Sequence, residues 1–176
     1  LVAAGVMDLR NGEMWCVERN RLLFAGPTLF STTQSHTFGF TTTTHPAETM
    51  PVDRLSLGEM VMIVEMYYPS MRERVAKAFP EKGWIRNLSG AAVEMACVST
   101  GQAVAFLCDR QKQDVGGAGY LLVLGAGGHA CDFEGNPLDD VPYLFRNPDG
   151  SLAQTPMILG ANKRICHEIV ERFKRT

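Results

Sequence analysis

A chain of 176 residues is long enough to bury one hydrophobic core, and its 45% hydrophobic and 20% charged composition is that of an ordinary globular protein. A net charge of −2 supplies no basic field to recruit a nucleic-acid polymer, and no apolar run reaches the roughly 18–20 residues of a membrane span. The five cysteines form no CxxC pair and no signal-peptide pattern opens the chain, so zinc-ribbon chemistry is excluded and a reducing, cytoplasmic setting is expected.

The chain opens at Leu1 in LVAAGVMDL, which reads as the middle of a strand, and an N-terminal portion is expected to precede it. Residues 1–9 and 13–18 predict a hairpin around Arg10-Asn11-Gly12, since Asn-Gly is a strong short-turn signal. Residues 21–33, containing Gly26-Pro27, predict a loop; FGFTTTTH is β-rich, and HPAETMPVD, with two prolines, is a connector. Apolar residues at 57, 60, 61, 64 and 66 predict helix over 56–78, with Pro69 ending a first helix and MRERVAKAF forming a second. The methionines at 60, 62, 66 and 71 suit core packing better than a promiscuous groove.

GWIRNL predicts a short strand, AAVEMACVSTG a helix ending at Gly101, and QAVAFLC a strand. Residues 136–155 are rich in turn formers. MILGA predicts a strand, and NKRICHEIVERFKR a final amphipathic helix whose basic C-terminus complements the helix dipole. Strands and helices alternate without repeats, which predicts a mixed α/β fold with layered sheets and helices, residues 1–176 forming a single domain.

The stretch QDVGGAGYLLVLGAGGHACDFEGNP contains an apolar run followed by Gly125-x-Gly127-x-x-Ala130, the outline of a dinucleotide-binding turn. That motif needs a long helix after its glycines. Gly135 and Pro137 break the chain too soon, and no acidic residue is clearly placed some 20 positions on. The same residues instead predict a helix over 114–126, N-capped by Asp114 and ended by Gly127-Gly128, then a strand over 129–133.

Two helix starts could carry chemistry. Leu88-Ser89-Gly90-Ala91-Ala92 leaves backbone N–H groups open to a phosphate or a hydroxyl, although tightly packed turns of this composition are common. Asp114 is ordinarily only a cap, and becomes a metal ligand where other oxygen donors converge. Glu94 could face either way from its helix, and Asp139-Asp140 fit a solvated turn. The chain has no GxSxG elbow and no P-loop, and the four histidines (36, 45, 129, 167) are scattered.

In order and spacing, these segments resemble the C-terminal half of the inositol monophosphatase family, Mg²⁺-dependent and often lithium-sensitive phosphatases. AAGVMDLRNGEMWCVERN is similar to the family's GVVYDP…ELFTA hairpin, and IRNLSGAAVEMACVSTGQAVAFL to its R-x-x-G-[ST]-A-A-x-x-x-C-x-V-A-x-G segment. QDVGGAGYLLVLGAGGHACDFEGNPLD resembles W-D-x-A-[AG]-G…EAGG…D-x-x-G, and MILGANKRICHEIVERF the last strand and helix.

The resemblance implies a layered α-β-α sandwich of the sugar-phosphatase type, Mg²⁺ as cofactor, and a small phosphorylated sugar, inositol or nucleotide as substrate. It implies that Asp114 is a metal ligand and that Ser89, Gly90 and Ala91 form the substrate-binding turn. It places Cys108 where the family carries a substrate-binding acid, with Asp109 beside it as a shifted replacement.

The departures are specific. Gln113 stands for the motif Trp, Ser89 for the first Gly of the turn, and the interval from Cys108 to Asp114 is one residue short. The other metal motifs, an upstream Glu and D-P-[IL]-D-G-[TS], have no counterpart and would precede Leu1. No residue here takes a catalytic role, so the bare chain is expected to be inactive. The alternative is a catalytically inactive member acting as a structural or interaction subunit. Family members are often dimers, which makes a homodimer the candidate assembly.

Overall fold

The computed structural model describes residues 3–8, 13–18, 21–27, 57, 61–81, 84–88, 90–138, 147–151 and 154–176. The expected hairpin is present: β1 (Ala3–Asp8) and β2 (Glu13–Glu18) pair antiparallel, Ala3 opposite Glu18 and Asp8 opposite Glu13. Residues 21–27 correct the sequence reading. They form β3 (Arg21–Pro27), a third antiparallel strand on β2. Pro27, which suggested a loop, is its last residue, and an edge strand tolerates proline there.

A second correction falls at 56–68. The apolar residues there build β4 (Met62–Val64), and Pro69, read as the end of a helix, is the first residue of α1 (Pro69–Ala78). Proline suits that first turn, where its missing N–H would have had no intrahelical partner. A three-residue strand buried on both faces has no alternation to show, and its Met-Ile-Val run mimics a buried helix.

After β5 (Ile85–Arg86) the expected elements follow closely: α2 (Ala91–Ser99), β6 (Ala105–Lys112), α3 (Gln113–Gly125), β7 (His129–Cys131), β8 (Gln154–Gly160) and α4 (Lys163–Lys174). The dinucleotide reading is excluded, because YLLVL lies inside α3 and the glycines end that helix. Gly127 has φ +84 and donates to the Leu124 carbonyl while Gly128 donates to that of Val123, closing α3 in a Schellman motif. FGFTTTTH and Asp139-Asp140 lie outside the described residues.

The larger sheet runs β5-β4-β6-β8-β7, with β5, β4 and β6 parallel and β8 antiparallel to both β6 and β7. Its side chains alternate cleanly between faces. Met62, Val64, Ala105, Leu107 and Ile158 point to one face and are covered by Met71 and Val75 of α1 and Ile165 and Ile169 of α4. Ile63, Phe106, Cys108, Met157 and Leu159 point to the other, under Met95 of α2 and Tyr120 and Val123 of α3.

The far side of α2 and α3 is also buried, with Ala96 and Leu122 packed on Val6 of β1. The expected α-β-α sandwich is therefore present, with the three-stranded sheet as a further layer. Both middle helices bury apolar side chains on two sides because both sides are covered. Their approach is close: a Cβ on Gly119 would lie 2.7 Å from the Cβ of Met95. The core role expected for Met62 and Met71 is met, and Met66 packs partly buried beside them.

Candidate functional site

The connections around β4 and β6 locate a site. The chain leaves β4 for α1 on one face of the sheet and leaves β6 for α3 on the other. The crevice outside the carboxyl ends of two neighbouring parallel strands whose connections diverge is the topological switch point, where open α/β sheets bind ligands. Three helices, α1, α2 and α3, begin at this carboxyl edge, following β4, β5 and β6.

Glu65 follows β4 directly and is held there by its own N–H, which donates to the Leu107 carbonyl at 2.9 Å. Facing it on β6 is Cys108, 1% exposed, whose thiol donates to Glu65 Oε2 at 2.9 Å. Burial, then the hydrogen bond to Glu65, pushes the Cys108 thiol far above its ordinary range. This buried sulfur donates to Glu65 and accepts the Arg110 N–H at 3.4 Å.

The oxygen acceptors at the crevice are its neighbours, Glu65 and Asp109. Asp109 Oδ2 accepts from the Ser70 hydroxyl at 3.4 Å, which ties the start of α1 to β6. Its Oδ1 is buried with no hydrogen-bond partner among the described residues.

Gly90 precedes α2 with no side-chain cap, so the first N–H groups of that helix remain available. Glu94 settles which way it faces: it is 0% exposed, its backbone N–H donates to the Gly90 carbonyl, and its carboxylate accepts the Leu88 N–H. It ties Leu88 to the first turn of α2. Ser89 lies outside the described residues.

Asp114 is the second residue of α3, since the helix begins one position before the expected cap, at Gln113. Its side chain is outside the described set, and its backbone is in the first turn at the same edge as Ala91. Among the described residues no group of three or more His, Cys, Asp or Glu is placed to hold a metal ion.

No family model matches the chain by sequence, and no curated protein does. Solved structures do match it. The extragenic suppressor protein SuhB of Bartonella henselae is 21% identical, over 99% of this chain and 57% of that one, with a TM-score of 0.67. Inositol monophosphatase II of Staphylococcus aureus is 14% identical over 97% of this chain and 55% of that one, with a TM-score of 0.62. An IMPase/NADP phosphatase complexed with Mg²⁺ and phosphate is 15% identical over 97% of this chain and 53% of that one, with a TM-score of 0.64. The chain carries the inositol monophosphatase fold. It spans a little over half the length of the structures it matches.

On the inositol monophosphatase fold, the sequence-expected residues Gly90, Ala91, Cys108, Asp109 and Asp114 all fall at the carboxyl edge of the larger sheet. Sequence reasoning missed Glu65. The available signal was a lone carboxylate directly after an apolar run, and it was hidden because VMIVEM was read as helix. Among the described residues, no helix is long and apolar enough to cross a membrane.

Proposed function

We propose that this chain is the C-terminal part of a Mg²⁺-dependent phosphomonoesterase acting on a small sugar, inositol or nucleotide phosphate. The observation that carries the reading is the gathering of Asp114, the uncapped start of α2 and the Glu65–Asp109 carboxylates at one switch-point edge. The donor chemistry fits Mg²⁺, a hard ion that takes oxygen ligands, and the partnerless Oδ1 of Asp109 is such an oxygen. The family resemblance supports Asp114 as one coordinating group of a site whose other ligands lie outside the described residues.

When bound, Mg²⁺ supplies positive charge that offsets the charge on the phosphoryl oxygens. The residues of this chain do the rest of the binding. The open N–H groups of α2 face an anion or a ring hydroxyl, helped by the helix dipole. Asp109 and Glu65 accept hydroxyl hydrogens from the alcohol portion of the ester. The reading includes a small phosphorylated ligand, no nucleic-acid polymer or membrane partner, a homodimeric assembly and a cytoplasmic setting.

One observation favours the second reading, a catalytically inactive subunit: a buried thiol, Cys108, occupies the place where the resemblance expects a substrate-binding acid.

The test is phosphate release from inositol monophosphate, a bisphosphorylated nucleotide and fructose bisphosphate at millimolar Mg²⁺. The full-length protein is expected to turn over at least one ester, Asp114→Asn to lower that rate by about 100-fold or more, and the 176-residue chain alone to show none. Turnover by the bare chain would mean that the metal ligands are misassigned. No turnover of any ester by the full-length protein would leave the inactive-subunit reading standing.

A further inference from the structure

The pairing of β6 with β8 slips register towards the carboxyl end of β6. Cys108 pairs with Met157 and Gln111 with Thr155, so Asp109 and Arg110 together oppose Pro156. This is a β-bulge, opposite a residue with no N–H to give the ladder. Strict alternation would turn Arg110 to the face of Cys108, under α2 and α3. The bulge turns it instead to the side of Asp109. The Arg110 guanidinium lies over the Tyr68 ring, Cζ 4.5 Å from its centroid, and Asp109 accepts from Ser70, so both residues meet the start of α1. Inside the bulge the Arg110 N–H donates to the Cys108 thiol at 3.4 Å, and that thiol donates to Glu65 Oε2 at 2.9 Å.

We propose that Cys108 is a positioning residue, its thiol holding the bulge that sets Asp109 as the acceptor for a hydroxyl of the substrate alcohol. The inference rests on the phosphomonoesterase reading and deepens it. A carboxylate at position 108 would meet Glu65 at hydrogen-bond distance and place two like charges in one buried spot. A thiol avoids that repulsion and serves both neighbours at once, accepting from Arg110 and donating to Glu65. The acid then stands one residue along, at Asp109. One of its oxygens is fixed by Ser70. The other, buried and without a partner among the described residues, is an unmet acceptor whose cost a substrate hydroxyl removes. Cys108 thereby contributes to the site without touching the substrate.

The test is a double-mutant cycle in the full-length protein, on the ester it hydrolyses fastest. Asp109→Ala and Cys108→Ala are each expected to raise KM about tenfold with kcat changed by less than about threefold, and the double variant to raise KM no further. Cys108→Ser, whose hydroxyl both donates and accepts, is expected to restore KM to within about twofold. In parallel, amide hydrogen exchange at Arg110 is expected to be slow in the unsubstituted protein and in Cys108→Ser, and about tenfold faster in Cys108→Ala. Additive effects on KM, a KM or an Arg110 exchange rate that Cys108→Ala leaves unchanged, or a Cys108→Ser variant that behaves like Cys108→Ala overturns the positioning role even in an active phosphatase. In a protein that hydrolyses no ester the phosphatase reading fails, and the cycle is read as calorimetric affinity for inositol monophosphate. Non-additive losses of about tenfold then uphold the positioning role, and additive losses or no binding overturn it.

Discussion

At the amino edge of β4 and β6, the described helix ends are closed by the chain itself. Asn162 caps α4, its Oδ1 accepting the Ile165 N–H at 2.9 Å. Gly101 and Gly127, with φ +76 and +84, close α2 and α3. At the carboxyl edge neither α1 nor α2 has a side-chain cap. Packing differs in the same sense. A Cβ on Gly128, at the amino edge, would lie 2.8 Å from the Gly160 carbonyl oxygen, whereas one on Gly90, at the carboxyl edge, meets nothing within 4 Å. At the amino edge the chain supplies its own closing partners, and at the carboxyl edge the starts of α1 and α2 are left without side-chain caps.

That contrast breaks most easily at Gly128. Gly128→Ala forces a methyl group against two carbonyl oxygens and Val123, and is expected to cost about 2–3 kcal/mol in denaturant unfolding. A loss below about 0.5 kcal/mol would show the amino edge to be looser than described. Asn162→Ala removes the α4 cap and is expected to cost about 1 kcal/mol by the same measurement. Gly90→Ala sharpens the comparison from the other side. With open space around it and φ −152, it should change stability by only about 0.5 kcal/mol, yet weaken the binding of a phosphate ester by crowding the α2 start.

The layered α/β architecture was legible because its diagnostic elements carry strong local signals. Asn-Gly marks the β1–β2 turn, Gly127-Gly128 ends α3, and the amphipathic α4 begins at a capping Asn and ends in basic residues. The elements that were misread are those whose signal depends on tertiary surroundings. β4 is three residues long and buried on both faces, so it shows no alternation, and β3 carries a proline that only its edge position accommodates.

The misreading of β4 also hid Glu65, since a carboxylate is conspicuous after a parallel strand and unremarkable within a helix. Asp109 was reachable only through the family resemblance.

The central claim is that the carboxyl edge, and not the amino edge, binds a phosphate ester. Amide NMR of the full-length protein titrated with inositol monophosphate and Mg²⁺ tests it most directly, because α4 supplies a capped helix start as an internal control. The amides of residues 90–92 and 113–115 are expected to shift together on one binding curve while those of residues 162–165 stay in place. Shifts confined to 162–165, or a titration that moves neither 90–92 nor 113–115, would contradict it.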